Sequence, residues 1–134
     1  MLGLVLLVVC SAAYATVTNA EKLTKNYVIN TYVDAMSRGR LDGLKDVLAP
    51  DAEFSMLRGK KVLSFSREQM LDYLQTNKNL EQACTTSTSI VESNADLSLV
   101  KVDMKFDDFV RSNYITLVNT GEGWKITNVY SVFK

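Results

Sequence analysis

Six tyrosines, two cysteines, fifteen Asp and Glu side chains and no histidine define the chemistry open to this 134-residue chain. The lack of histidine excludes imidazole triads, His-based metal sites and the commonest general base near neutral pH. The carboxylates that could stand in as a base are scattered: Asp51 and Glu53 flank Ala52, Asp103 sits in an alternating run, and Asp107 and Asp108 are adjacent. Adjacent side chains diverge on an extended chain, so Asp107 and Asp108 read as a solvated hairpin tip rather than a metal site. Cys84 has no histidine to activate it and reads as a small buried hydrophobe. Gly121-x-Gly123 reads as a hairpin turn, since no glycine-rich loop follows a strand in phosphate-binding form. No metal or cofactor is expected from these residues. Fifteen Lys and Arg balance the fifteen acids. No net field therefore steers the chain to nucleic acid, and Arg58-Gly59-Lys60-Lys61 is too short and too poor in aromatics to hold it.

The elements that must position these groups begin after an uncharged leader. Leu2 to Val9 form an apolar run, followed by the small-x-small pattern Ala13-Tyr14-Ala15. As a helix, residues 1–15 would span about 22 Å, short of the roughly 30 Å hydrocarbon core. Residues 1–15 therefore read as a signal peptide, with a secreted or periplasmic domain over 16–134 and no stable membrane span. No Lys or Arg precedes the apolar run. The alternative is acylation of Cys10, whose lead-in Leu7-Val8-Val9 resembles a lipoprotein motif but places Val9 where a small residue is wanted. Cleavage before Thr16 leaves Cys84 as the one cysteine and no intrachain disulfide.

A composition of 47% hydrophobic and 22% charged residues describes one globular domain. Thr18-Asn19-Ala20-Glu21 fits a capping box opening a helix that runs to Arg38 and stops at Gly39. Leu41, Leu44, Val47 and Leu48 give a second, short helix ended by Pro50. Glu53 to Leu57 reads as a strand. Ser66-Arg67-Glu68-Gln69 caps a third helix with Met70, Leu71 and Leu74 on its buried face. Strands follow at Thr85–Ile90, at Val100–Phe106 with strict alternation, at Asn113–Asn119 with apolar residues on both faces, and at Trp124–Phe133. In the last strand Trp124, Ile126, Tyr130 and Val132 are expected to share a face that Asn128 interrupts. Helices first and antiparallel strands after them imply an α+β layer fold.

Thr31-Tyr32-Val33-Asp34-Ala35-Met36-Ser37-Arg38-Gly39-Arg40-Leu41-Asp42-Gly43-Leu44 and Ala49-Pro50-Asp51-Ala52-Glu53-Phe54 resemble the opening of nuclear transport factor 2-like proteins. Gly123-Trp124-Lys125-Ile126-Thr127-Asn128-Val129 resembles their final strand. With Tyr114-Ile115-Thr116-Leu117-Val118, the chain is most similar to the bacterial branch labelled putative lumazine-binding, and next to the SnoaL-like branch. The resemblance implies a cone-shaped, strongly curved, mostly antiparallel sheet with about three helices from the N-terminal half on one face. It is specific for fold and weak for function, because this superfamily hosts enzymes and binding domains alike. By resemblance to the ketosteroid isomerases within it, Tyr32 matches the tyrosine that donates to a developing enolate oxygen. Met56 stands where their catalytic base would be, and Tyr114 falls approximately on their second oxyanion donor. Methionine cannot take a proton, so the base is missing, and Met56→Asp is the change that would restore it.

Tyr32, Met56, Tyr114 and Asn128 are thus the candidate ligand-lining residues of a cone pocket, with no catalytic set among them. The expected function is an exported small-molecule-binding or accessory domain taking a small hydrophobic ligand. The alternatives are a SnoaL-like lyase or isomerase acting on a small hydrophobic carbonyl compound, or a purely structural dimerisation module. In the Asn113–Asn119 strand Ile115 and Leu117 alternate with Tyr114 and Val118, so both faces are apolar while helices can cover only one, and a homodimer through the open sheet face is expected.

Overall fold

The structure, a computed structural model, describes residues 20–134; the expected signal peptide, Cys10 and the expected Thr18 cap lie outside them. The 3-10 turn Glu21–Leu23 leads into α1 (Lys25–Arg38), and a single helical turn, α2 (Leu44–Val47), follows. The strands are β1 (Leu48–Arg58), β2 (Lys61–Ser66), β3 (Thr85–Ser93), β4 (Leu97–Lys105), β5 (Val110–Thr120) and β6 (Gly123–Phe133), with α3 (Arg67–Thr76) between β2 and β3. The order across the one open sheet is β2-β1-β6-β5-β4-β3. Only β1 and β6 run parallel. This is the expected α+β architecture, a curved, mostly antiparallel sheet with its helices on one face. Register shifts in three ladders supply the curvature, since a bulge bends its strand and raises the local twist.

α1 carries Val28, Tyr32, Ala35 and Met36 at three- and four-residue steps and buries them against the sheet. Ile115, Leu117, Ile126 and Val129, nearly inaccessible, receive them together with Val100, Val102 and Met104. α3 seats Met70 and Leu74 over β1 and is opened by the expected capping box, with the Ser66 hydroxyl accepting from the Gln69 N–H and the Gln69 side chain accepting from the Ser66 N–H. Gly39 ends α1 at φ +65°, as expected from its position.

Several boundaries differ from the sequence expectation, each for a local reason. α1 begins at Lys25 rather than near Ala20, because the Thr24 hydroxyl accepts from the Tyr27 N–H and so takes the capping role. Pro50 does not end a helix: α2 stops at Val47, and Pro50 lies inside β1 in the stretch where the ladder to β6 is interrupted, so its missing N–H costs no ladder bond there. β2 is an additional strand, completing a hairpin whose turn is Gly59-Lys60. In β6 the partners jump from Thr116↔Asn128 to Leu117↔Ile126, leaving Thr127 as an extra residue. The bulge shifts the phase of alternation. Ile126, Val129 and Ser131 face the helices, whereas Asn128, Tyr130 and Val132 face the open side, so the single apolar face expected from Trp124 to Val132 is corrected.

Cys84 is half-buried, and desolvation pushes its thiol up from the usual value, which suits an inert side chain. Trp124 packs at the edge of the core with the Lys25 ammonium 4.8 Å from its ring centroid.

Candidate functional site

The polar centre of the helix face is built around Asn113, a fully buried residue near the middle of the sheet. β5 presents Arg111, Asn113, Ile115 and Leu117 to the helices in strict alternation. The Asn113 Oδ1 accepts from the Tyr32 hydroxyl at 3.2 Å, from Arg111 Nε at 3.0 Å and from the Ser131 hydroxyl at 2.8 Å. Its Nδ2 donates to the Val102 carbonyl at 3.0 Å. Arg111 also reaches the Ser131 hydroxyl at 3.4 Å through a terminal nitrogen. Every buried group in this cluster therefore has a partner. Burial pushes the Tyr32 hydroxyl up to about 12, a rise that the nearby Arg111 charge partly opposes, so Tyr32 stays a neutral donor at any physiological pH.

Tyr32 and Met56 share this face, Met56 lying beside Ser131 in the β1–β6 ladder. Tyr114 and Asn128 do not, and their placement in a common pocket with Tyr32 is corrected. Tyr114 follows Asn113 in β5 and so points to the opposite side, where it pairs with Tyr130 and Lys101; Asn128 is exposed on the same open side, opposite Thr116. Two phenols cannot converge on one ligand atom across a sheet. The carboxylates that could replace the missing base are also elsewhere. Asp103 is on the open side, accepting from the Ser112 hydroxyl and paired with Lys101. Asp51 and Glu53 line a shallow outer depression with Ser64, Ser66 and Glu68.

A cleft on the helix side lies where the C-terminal ends of α1 and α3 meet the β4–β5 hairpin, apart from an outer depression between α2 and α3 that Asp42 and Asp46 line. The cleft has a volume of about 240 Å³, and its lining includes Met36, Leu74, Leu80, Met104, Phe106 and Arg111. Tyr73, Asn77 and Gln82 supply its other polar groups, and no Asp or Glu takes part. Phe106 stacks on Phe109 with centroids 4.6 Å apart, Phe109 lies 6.2 Å from Phe133, and the Arg111 guanidinium sits 5.8 Å from the Phe133 ring. Phe109 and Phe133 in turn line a second, more open cleft of about 440 Å³ with Leu57 and Arg58. Neither cleft includes Tyr32 or Met56 in its lining.

Arg111 and Asn113 escaped the sequence reading. The signal was available: both fall on the inward phase of β5, the phase of Ile115 and Leu117, and a polar residue on a core face needs a partner. Asn128 carries the same signal in the sequence, but the β6 bulge removes it from the core.

Among the described residues no group of Cys, Asp or Glu is placed to hold a metal ion. With no base at the cleft and the Tyr32 hydroxyl already engaged, unsaturated-ketone isomerisation is expected to run at the buffer rate. Met56→Asp is expected not to raise it, because Tyr114 cannot join Tyr32. A working general base typically contributes about 100- to 10,000-fold, so steady-state rates of wild type and Met56→Asp decide the point. Turnover above buffer that Tyr32→Phe abolishes would contradict it.

The sequence matches the family model described as "Putative lumazine-binding" over residues 20–131. No curated protein matches it. Among solved structures, a nuclear transport factor 2-like protein of unknown function from Silicibacter pomeroyi superposes with a TM-score of 0.68 at 18% identity, covering 81% of this chain and 92% of that one. One from Methylobacillus flagellatus gives 0.61 at 16%, covering 90% and 96%. A nuclear transport factor 2-like protein from Cytophaga hutchinsonii gives 0.64 at 15%, covering 80% and 93%. At such identities the likeness is one of fold.

Proposed function

The chain belongs to the putative lumazine-binding family of nuclear transport factor 2-like domains, and on that premise we propose that it is a non-catalytic small-molecule-binding domain. The observation that carries this reading is the composition of the cleft between α1, α3 and the β4–β5 hairpin. Apolar walls with a few convergent polar groups are what a binding pocket needs, while proton transfer from carbon needs a base that this cleft lacks.

Export and dimerisation belong to the same proposal. The apolar run Leu2 to Val9 and the Ala13-Tyr14-Ala15 pattern support removal of a leader. Among the described residues no helix is long and apolar enough to cross a membrane. The open side of the sheet carries Leu99, Tyr114, Val118, Tyr130 and Val132 beside the Lys101–Asp103 ion pair, and its helix-free face supports a second copy as its cover.

Native mass spectrometry of the protein purified from its own source tests all three parts separately. The expected spectrum is a dimer of protomers beginning at Thr16, each retaining a non-covalent small molecule. A bare protomer contradicts ligand binding, a lipid mass on Cys10 or an intact leader contradicts cleavage, and a monomer at tens of micromolar contradicts the dimer.

A further inference from the structure

We propose that the cleft selects a small monocarboxylate on an apolar body, with Arg111 receiving the carboxylate. The proposal rests on the binding reading above and adds the chemical class of the ligand. Arg111 is a half-buried cation on the wall of a cleft otherwise built from Met36, Leu74, Met104 and Phe106. The ion pairs among the described residues are Arg38–Asp34, Arg67–Glu68 and Lys101–Asp103, and none reaches it. Its bonds to Asn113 and Ser131 go to neutral oxygens, so they orient the guanidinium without neutralising it. Those bonds engage Nε and one terminal nitrogen. A guanidinium has five donors in a planar fork, so donors on both terminal nitrogens remain for a bidentate carboxylate.

The geometry supplies what such recognition requires. Asn113 is buried and locked by its own four hydrogen bonds, so the plane of the fork is set before a ligand arrives. The Phe133 ring packed against Arg111 and the Phe106–Phe109 stack beside it lower the local dielectric, which strengthens a charge-assisted bond. The charge count favours one negative charge over two. Among the described residues Arg111 is the single cation in the cleft lining, and the exposed Asp107 and Asp108 follow Phe106 at the hairpin tip, where they oppose a dianion such as a phosphate monoester. The volume of about 240 Å³ lies below the roughly 300–1,000 Å³ of drug-sized pockets. A single ring or short chain fits this scale.

The test compares 4-phenylbutyrate with its uncharged isostere 4-phenylbutanamide by titration calorimetry on wild type, Arg111→Met and Arg111→Lys. Wild type is expected to bind the carboxylate at least 10-fold more tightly than the amide. Arg111→Met is expected to bring the two probes to equal affinity, and Arg111→Lys to keep part of the preference as a point charge without the fork. The wild-type comparison stands even if Arg111→Met fails to fold. Equal binding of both probes by wild type overturns the carboxylate assignment and leaves the binding reading intact. Binding of neither probe overturns both, and a carboxylate preference that survives Arg111→Met places the anion elsewhere.

Discussion

Replacing Asn113 by leucine is expected to cost about 3–5 kcal/mol of stability, far more than removing any one of its partners. The substitution keeps the number and branching of the side-chain heavy atoms and removes their polarity, with the bulkier methyls adding to the loss in this buried site. Asn113 is the shared acceptor of Tyr32, Arg111 and Ser131 and the donor to the Val102 carbonyl. Each buried polar group left without a partner costs about 1–3 kcal/mol. The Tyr32 hydroxyl and the Val102 carbonyl lose this partner in a site closed to water, while Ser131 retains Arg111 and Arg111 reaches the cleft. Tyr32→Phe removes one donor and leaves the Asn113 oxygen with two others, so about 1 kcal/mol is expected from it. Urea unfolding of the three proteins distinguishes a shared hub from a set of independent bonds. Equal losses for Asn113→Leu and Tyr32→Phe would show that the hub carries no more than a single bond.

Gly39→Ala is expected to destabilise by about 2–4 kcal/mol and to weaken ligand binding as well. Gly39 sits at φ +65°, where an L side chain costs about 1–2 kcal/mol. A Cβ there would also lie 2.6 Å from the Asn79 nitrogen and 2.8 Å from both the Asn77 oxygen and the Leu80 nitrogen, all backbone atoms. The Asn77–Leu80 segment must therefore move, and the hydrogen bond from the Asn79 N–H to the Gly39 carbonyl moves with it. Asn77, Leu80 and Gly39 itself line the cleft, so a stability defect becomes a binding defect through one loop. Gly59→Ala is the control, with a φ of +61° but open space around the new methyl. It should lose only the conformational part, about 1 kcal/mol. Thermal unfolding of the pair checks the difference, and equal losses would refute the role of the close approach.

The parts of the fold legible in the sequence were those set by neighbours along the chain. The Ser66–Gln69 box and the alternation through Val100, Val102 and Met104 needed no tertiary information. Gly39 likewise announced the end of α1 through its conformational freedom. What stayed hidden depends on pairing. The Thr127 bulge falls where the ladders of β6 to both β5 and the parallel β1 are interrupted, and one extra residue reverses which side Tyr130 and Val132 face. Pro50 looked like a helix terminator because its compatibility with β1 depends on a gap in the partner ladder. β2 is a short edge strand exposed on much of its length, which weakens the alternation that would reveal it. The candidate site was half legible for the same reason. Tyr32 and Met56 belong to the helix face, whereas the face of Tyr114 follows from the phase of β5, which Asn113 fixes through its bond to Tyr32.

The most direct test of the binding reading uses the methionine methyl groups as reporters. Met36 and Met104 line the cleft, while Met70 is buried under α3 outside its lining. The protein labelled with ¹³C at methionine methyls would be titrated with a mixture of small aromatic and alicyclic fragments and followed by NMR. The expected result is saturable shifts of the Met36 and Met104 signals with Met70 unmoved. Saturation that leaves Met36 and Met104 unchanged, or no saturable shift from any fragment, would contradict the assignment of this cleft as the ligand site.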